Sequence, residues 1–207
     1  MTPVRELPPD YREACHLLLT APRNLVLLNA LSLIPALVAA AGMAGWWAVV
    51  LRVKGTAQGA GQDIPWWAGL IGVVLTVIVA HELLHGLAIG RVGHRVRYGF
   101  KPAKLVFYAT TDQGLFRRNE FVAVALAPLV GLTLVGMALM VIAPNAIAYY
   151  VSLAVILNAG GALGDLWMLA VTLRYPPSAL VRDEADGIRI YTPYAAPDGA
   201  TPPIVEK

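Results

Sequence analysis

The sequence predicts an all-α membrane protein of four transmembrane helices with a small β-hairpin on the cytoplasmic side. Three observations carry that expectation. Of 207 residues, 57% are hydrophobic and 14% charged, with mean hydropathy +0.62, whereas soluble domains run near a quarter charged. Four apolar stretches are each long enough to cross a bilayer, which takes about 20 helical residues. Basic residues gather between alternate stretches instead of spreading along the chain.

The expected spans run over 25–51, 65–89, 121–143 and 146–173. The first carries Asn29, Ser32, Pro35 and a Gly42-x-x-Gly45 pair. These suit close packing against neighbouring helices, or an ordinary kinked span. In the third, Ala127-Pro128 is expected to kink the helix and leave carbonyls that a neighbour can use. Pro144-Asn145 leaves room only for a tight turn, so the last two spans are expected as antiparallel neighbours. Residues 1–10 lack the apolar stretch and small-residue cleavage site of a signal peptide, and the first apolar stretch is read as a retained span. The chain then divides into an N-terminal segment, 1–24, a four-span core, 25–174, and a tail, 175–207. Residues 193–203 of that tail are rich in Pro and Ala and are expected to be disordered.

The loop over 90–120 is patterned. Val92, His94, Val96, Tyr98 and Phe100 alternate with Gly93, Arg95, Arg97 and Gly99, and Leu105 to Tyr108 follow a Lys101-Pro102 break. Period-two spacing with β-branched and aromatic residues reads as a short hairpin at the membrane surface. Gly187 to Tyr191 is a second strand-like piece.

Orientation follows from charge. Fourteen of the sixteen Lys and Arg lie before the first span, in the 90–120 loop or after the fourth span, and only Arg52 and Lys54 fall between the first two spans. The positive-inside rule then puts both termini in the cytoplasm of a multi-pass cell-membrane protein. The same clustering explains the pI near 9.1 without nucleic acid as a partner; the bilayer is the expected one.

One motif carries chemistry. His81-Glu82-x-x-His85 lies within an apolar span, and residues four apart on a helix project from one face. Two imidazoles at that spacing reach one zinc ion at about 2.0–2.1 Å. Glu82, between them, is placed to take a proton from a water on the metal while staying outside the ligand set. Ionisable groups in a span persist only with compensation, which a bound cation would supply. The alternatives are a His/Glu set satisfied by interhelical hydrogen bonds, or a haem held by paired histidines. Haem would not require Glu82, and the other two histidines, His16 and His94, lie outside the spans. Cys15 is the one cysteine, so no cysteine-based metal site is open to the chain.

A catalytic zinc takes a third protein ligand and keeps one position open. Asp165 is the acid of the fourth span, and Asn158 stands seven residues before it, about 20° away around a straight helix. Counted back from Arg91, His85 and His81 lie roughly 9 and 15 Å into the second span; counted back from Arg174, Asp165 lies roughly 13–14 Å into the fourth. The three fall in one layer. Glu120, at the mouth of the third span, is the rival third ligand. Asn158 is expected either to bond the oxyanion of the scissile carbonyl as a catalytic group or to brace the helices.

On His81-Glu82-Leu83-Leu84-His85-Gly86, Ala127-Pro128-Leu129-Val130, Asn158 with Gly164-Asp165, and Val181-Arg182-Asp183, the chain resembles the site-2 protease group of intramembrane zinc metalloproteases. Within it, the chain looks like a bacterial membrane branch described as putative zincin peptidases. The resemblance covers roughly 73–191. It implies that His81, His85 and Asp165 bind Zn2+, that Glu82 is the general base, that a hairpin lies near the active site, and that the substrate is a membrane-embedded polypeptide. The chain departs from the group's pattern in its fourth span: Asn and Asp are seven apart instead of eight, no Pro lies between them, and Gly precedes the acid. The expected function is intramembrane zinc-dependent peptide hydrolysis. The alternatives are a zinc-binding membrane scaffold that cleaves nothing, and a metal transporter, which is disfavoured because no further acids or histidines mark a path through the spans.

Overall fold

In the computed structural model, which describes residues 3–55, 65–101, 106–111, 114–184 and 187–194, apolar helices carry a small antiparallel sheet at one end. The elements in chain order are β1 (Tyr11–Leu18), α1 (Pro22–Leu31), α2 (Leu33–Lys54), α3 (Trp66–Arg91), β2 (Val96–Lys101), β3 (Val106–Thr111), β4 (Phe116–Arg117), α4 (Arg118–Ile142), α5 (Asn145–Gly161), α6 (Leu163–Thr172), β5 (Leu180–Asp183) and β6 (Gly187–Pro193). Three helical stretches are long and apolar enough to cross a membrane, or four if α5 and α6 count as one bent span. Their outer faces expose Leu33, Ile34, Leu37, Trp66, Leu75 and Ile142, among others. A helix that is apolar all round suits lipid.

The helices pack where small residues permit it. α4 and α5 lie along each other, and a Cβ on Gly136 would sit 2.5 Å from a methyl of Val155; only a glycine allows that approach. At the same end of the bundle, Lys54 donates to the carbonyls of Met140 and Ala143, neutralising the carbonyl end of α4. The C-terminal ends of α2 and α4 therefore lie together, as they must if α3 runs back between them.

The structure refines the sequence expectation at three points. The first apolar stretch is two helices joined at Ser32. Ser32 keeps helical dihedrals, φ −59° and ψ −24°, and its hydroxyl bonds the Asn29 carbonyl, so 22–54 still forms one candidate span. The fourth is broken, α5 and α6 meeting at a bend of 42°. Gly160, Gly161 and Gly164 surround the break, and glycine costs a helix about 1 kcal/mol relative to alanine. A Cβ on Gly160 would lie 3.4 Å from the Ser32 carbonyl and from Ala36, so the junction of α1 and α2 fits against this thinned segment.

The third point concerns β structure. The hairpin is present, β2 pairing with β3 from Val96↔Thr111 to Lys101↔Val106, but it is accompanied by an antiparallel sheet in the order β1-β6-β5-β4. Gly187 to Tyr191 lies in β6, while β1 and β5, its partners on either side, were not foreseen. β1 escapes detection because Arg12, Glu13 and His16 interrupt its apolar residues. Pairing resolves those charges: Arg189 of β6 bonds Glu13 at 3.0 Å and Glu184 at 2.6 Å, and His16 lies 3.2 Å from Glu184. Of the tail segment 193–203, Pro193 closes β6 and the residues from 195 onward lie outside the described ones.

The sheet rests on the end of the bundle that holds the motif. Ile89 of α3 and Phe121, Val124 and Ala125 of α4 pack with Phe116, Val181, Ile188 and Ile190 of the sheet. α3 ends two residues past Ile89: Gly93 takes φ +89°, a left-handed value that glycine adopts freely, and the His94 N–H closes onto the Ile89 carbonyl at 3.2 Å.

Candidate metal centre

Three helices converge on His81 and His85. The two rings leave one face of α3 with centroids 4.9 Å apart, edge to face. Each ring uses one nitrogen toward a neighbouring helix. His85 Nδ1 lies 3.0 Å from the Val124 carbonyl of α4, and His81 Nδ1 lies 2.9 Å from Asn158 Oδ1 of α5. Both partners accept, so each Nδ1 carries the proton and donates, which leaves each Nε2 with a lone pair.

Both Nε2 atoms face one carboxylate. His81 Nε2 is 3.1 Å from Asp165 Oδ2, and His85 Nε2 is 3.4 Å from Asp165 Oδ1. The three side chains are only 12–14% exposed. Asp165 is in the first turn of α6, whose N-terminal dipole favours a negative charge. The bend matters here. Seven residues of straight helix rise about 10.5 Å, and the break lets Asn158 and Asp165 meet opposite nitrogens of a single imidazole.

The donor set fits zinc. Lone pairs facing a carboxylate repel unless two protons or one cation lie between them, and a single cation would satisfy all three groups at once. Tetrahedral zinc with bonds of about 2.0–2.2 Å places its ligand atoms about 3.3–3.6 Å apart, close to the two separations found. The three ligand atoms all lie within 4.8 Å of one another. Two neutral imidazoles and one carboxylate form a set that binds catalytic zinc in other proteins.

Glu82 shares a cavity of about 210 Å³ with His81, His85 and Asp165, which Phe107 and Tyr108 of β3 help to line. Its carboxylate accepts the N–H of Ala109, also on β3. That contact was not legible in the sequence; the hairpin had a pattern, but nothing in it pointed to Glu82. Thr110 ties the hairpin onward, its hydroxyl donating to the Asp183 carbonyl at 3.4 Å.

The remaining candidates lie elsewhere. Glu120 accepts the Arg117 N–H and its guanidinium, both at 2.9 Å, and so caps α4 instead of joining the cluster. His94 is buried with its ring 4.8 Å from that of Phe116. Burial, opposed by Glu120, holds its pKa below the ordinary histidine value. Asn158 is fully buried, its oxygen turned to His81 and its amino group donating to the Pro128 carbonyl at 3.1 Å. Both of its polar atoms thus bond neighbouring helices, and it is not among the residues that line the cavity.

An apolar helical bundle holding two histidines, an aspartate and an adjacent glutamate defines a membrane-compatible chain with a candidate metal site. The chain belongs to the family described as putative zincin peptidase, whose model matches residues 74–180, 107 of the 207. That family implies zinc and points to a metallopeptidase. No curated protein and no solved structure matches the chain.

Proposed function

We propose that this protein is an intramembrane zinc metalloprotease that hydrolyses peptide bonds of membrane-embedded polypeptides, with His81, His85 and Asp165 holding the zinc. The observation that carries the reading is the convergence of three donors and Glu82 on one cavity between apolar helices. Zinc, when bound, supplies Lewis-acid polarisation of a carbonyl and acidifies water. Glu82 accepts the proton of the attacking water and returns it to the leaving amine. The Ala109 N–H holds the Glu82 carboxylate toward the cavity. β3 lines the cavity and pairs only with β2 among the described strands, so it offers an extended substrate segment an edge to pair with. An extended segment is required, since a helical peptide bond is shielded by its own turn.

Purified protein is expected to carry about one zinc per chain, and reconstituted protein to cleave some members of a panel of single-span substrates. Stoichiometric zinc with no cleavage across the panel would favour the scaffold reading, in which the site binds metal and does no hydrolysis.

The same proposal places both termini and the 90–120 loop in the cytoplasm, on the strength of the fourteen-to-two split of basic residues. Reporter fusions after Lys54 should score outside, and fusions after Lys101 or Lys207 inside. The opposite pattern would move the site to the external half of the membrane.

A further inference from the structure

The anchors of both histidine rings trace to one residue of α4. In an α-helix the carbonyl of residue 124 ordinarily accepts the N–H of residue 128. Here residue 128 is a proline inside the helix, with no N–H to give, and its ring crowds the carbonyl four residues back. The Val124 carbonyl is left without that partner, and His85 Nδ1 takes it at 3.0 Å. Pro128's own carbonyl has a second lone pair, which receives the Asn158 amino group at 3.1 Å. With its amino group so held, Asn158 can present only its oxygen to His81 Nδ1, at 2.9 Å.

We propose that Pro128 is a positioning residue of the metal centre: one missing N–H and one carbonyl decide which nitrogen of His81 and of His85 is turned toward Asp165. The inference rests on the zinc reading and deepens it. Pro128 itself is fully buried and does not line the cavity that holds Glu82. An alanine at this position would supply the absent N–H to the Val124 carbonyl and compete with His85. It would also relax the backbone that aims the Pro128 carbonyl at Asn158. Partners of this kind set ring orientation and ligand basicity.

The test is Pro128→Ala in the full chain, read by competition with a chelator for zinc, by the visible spectrum of the cobalt-substituted protein, and by thermal unfolding of the zinc-free form. Zinc affinity should fall about 10–100-fold and the cobalt bands should change. The zinc-free protein should unfold at the same or a higher temperature, because the helix is no longer interrupted. A merely structural proline would not weaken the metal while leaving the fold as stable. A second measurement needs no variant: nitrogen-15 shifts of the zinc-loaded wild type should show metal on Nε2 and a proton on Nδ1 of both rings. Unchanged zinc affinity and cobalt spectrum in Pro128→Ala, or metal on Nδ1 of either ring, would overturn the inference while leaving the zinc reading intact. Wild type that binds no zinc would remove both.

Discussion

Glu82→Gln should keep about one zinc per chain and lose peptide hydrolysis by roughly 10²–10⁴-fold, the range a positioned general base contributes. Glutamine preserves the shape of the side chain, and its amide oxygen can still accept the Ala109 N–H that Glu82 accepts, so the hairpin should stay in place. What it cannot do is take a proton. Metal content measured beside cleavage of the same substrate panel separates the outcomes. Zinc lost together with activity would make Glu82 part of the support for the site instead of its base.

Asp165→Ala should weaken zinc binding by more than about 100-fold, beyond the 10–100-fold typical when only an outer partner is lost. Its carboxylate faces both Nε2 atoms, at 3.1 and 3.4 Å, and it supplies the one negative charge among the three proposed ligands. Asp165→Asn should be intermediate, since it retains an oxygen donor without the charge. Combining Asp165→Ala with His85→Ala should add little, because residues serving one site are not additive. Glu120→Ala is the contrast. Glu120 belongs to the α4 cap, so its loss should cost on the order of 1 kcal/mol of stability and leave zinc affinity unchanged. Equal zinc binding by Asp165→Ala and wild type, measured by chelator competition, would refute ligation by Asp165.

Membrane compatibility and the motif were legible in the chain itself because both are local. Twenty apolar residues in a row state their own solvent, and a His-x-x-x-His spacing on a helix states its own face. The turn at Pro144-Asn145 and the hairpin after α3 were legible for the same reason: proline, glycine and period-two alternation act within a few residues. The strand missed near the start of the chain shows the limit. β1 pairs with β6 across about 170–180 residues, and the Glu13–Arg189 contact that suits β1 to a sheet joins positions 176 apart. No local pattern reports a partner at that distance.

The site divides along the same line. Spacing alone placed His81, Glu82 and His85 on one turn of helix, and span arithmetic alone put Asp165 at a matching depth. Tertiary structure decided which nitrogen each histidine turns inward, because that depends on acceptors from two other helices: a carbonyl of α4 beside a proline that cannot use it, and an amide of α5. It also decided which groups Asn158 bonds. On an unbroken helix Asn158 and Asp165 would project along one face two turns apart; the 42° bend after Gly161 brings both onto one imidazole, one on each nitrogen. Glycines signal that a helix is weak, but where it bends is decided by what packs against it, here the Ser32 junction between α1 and α2.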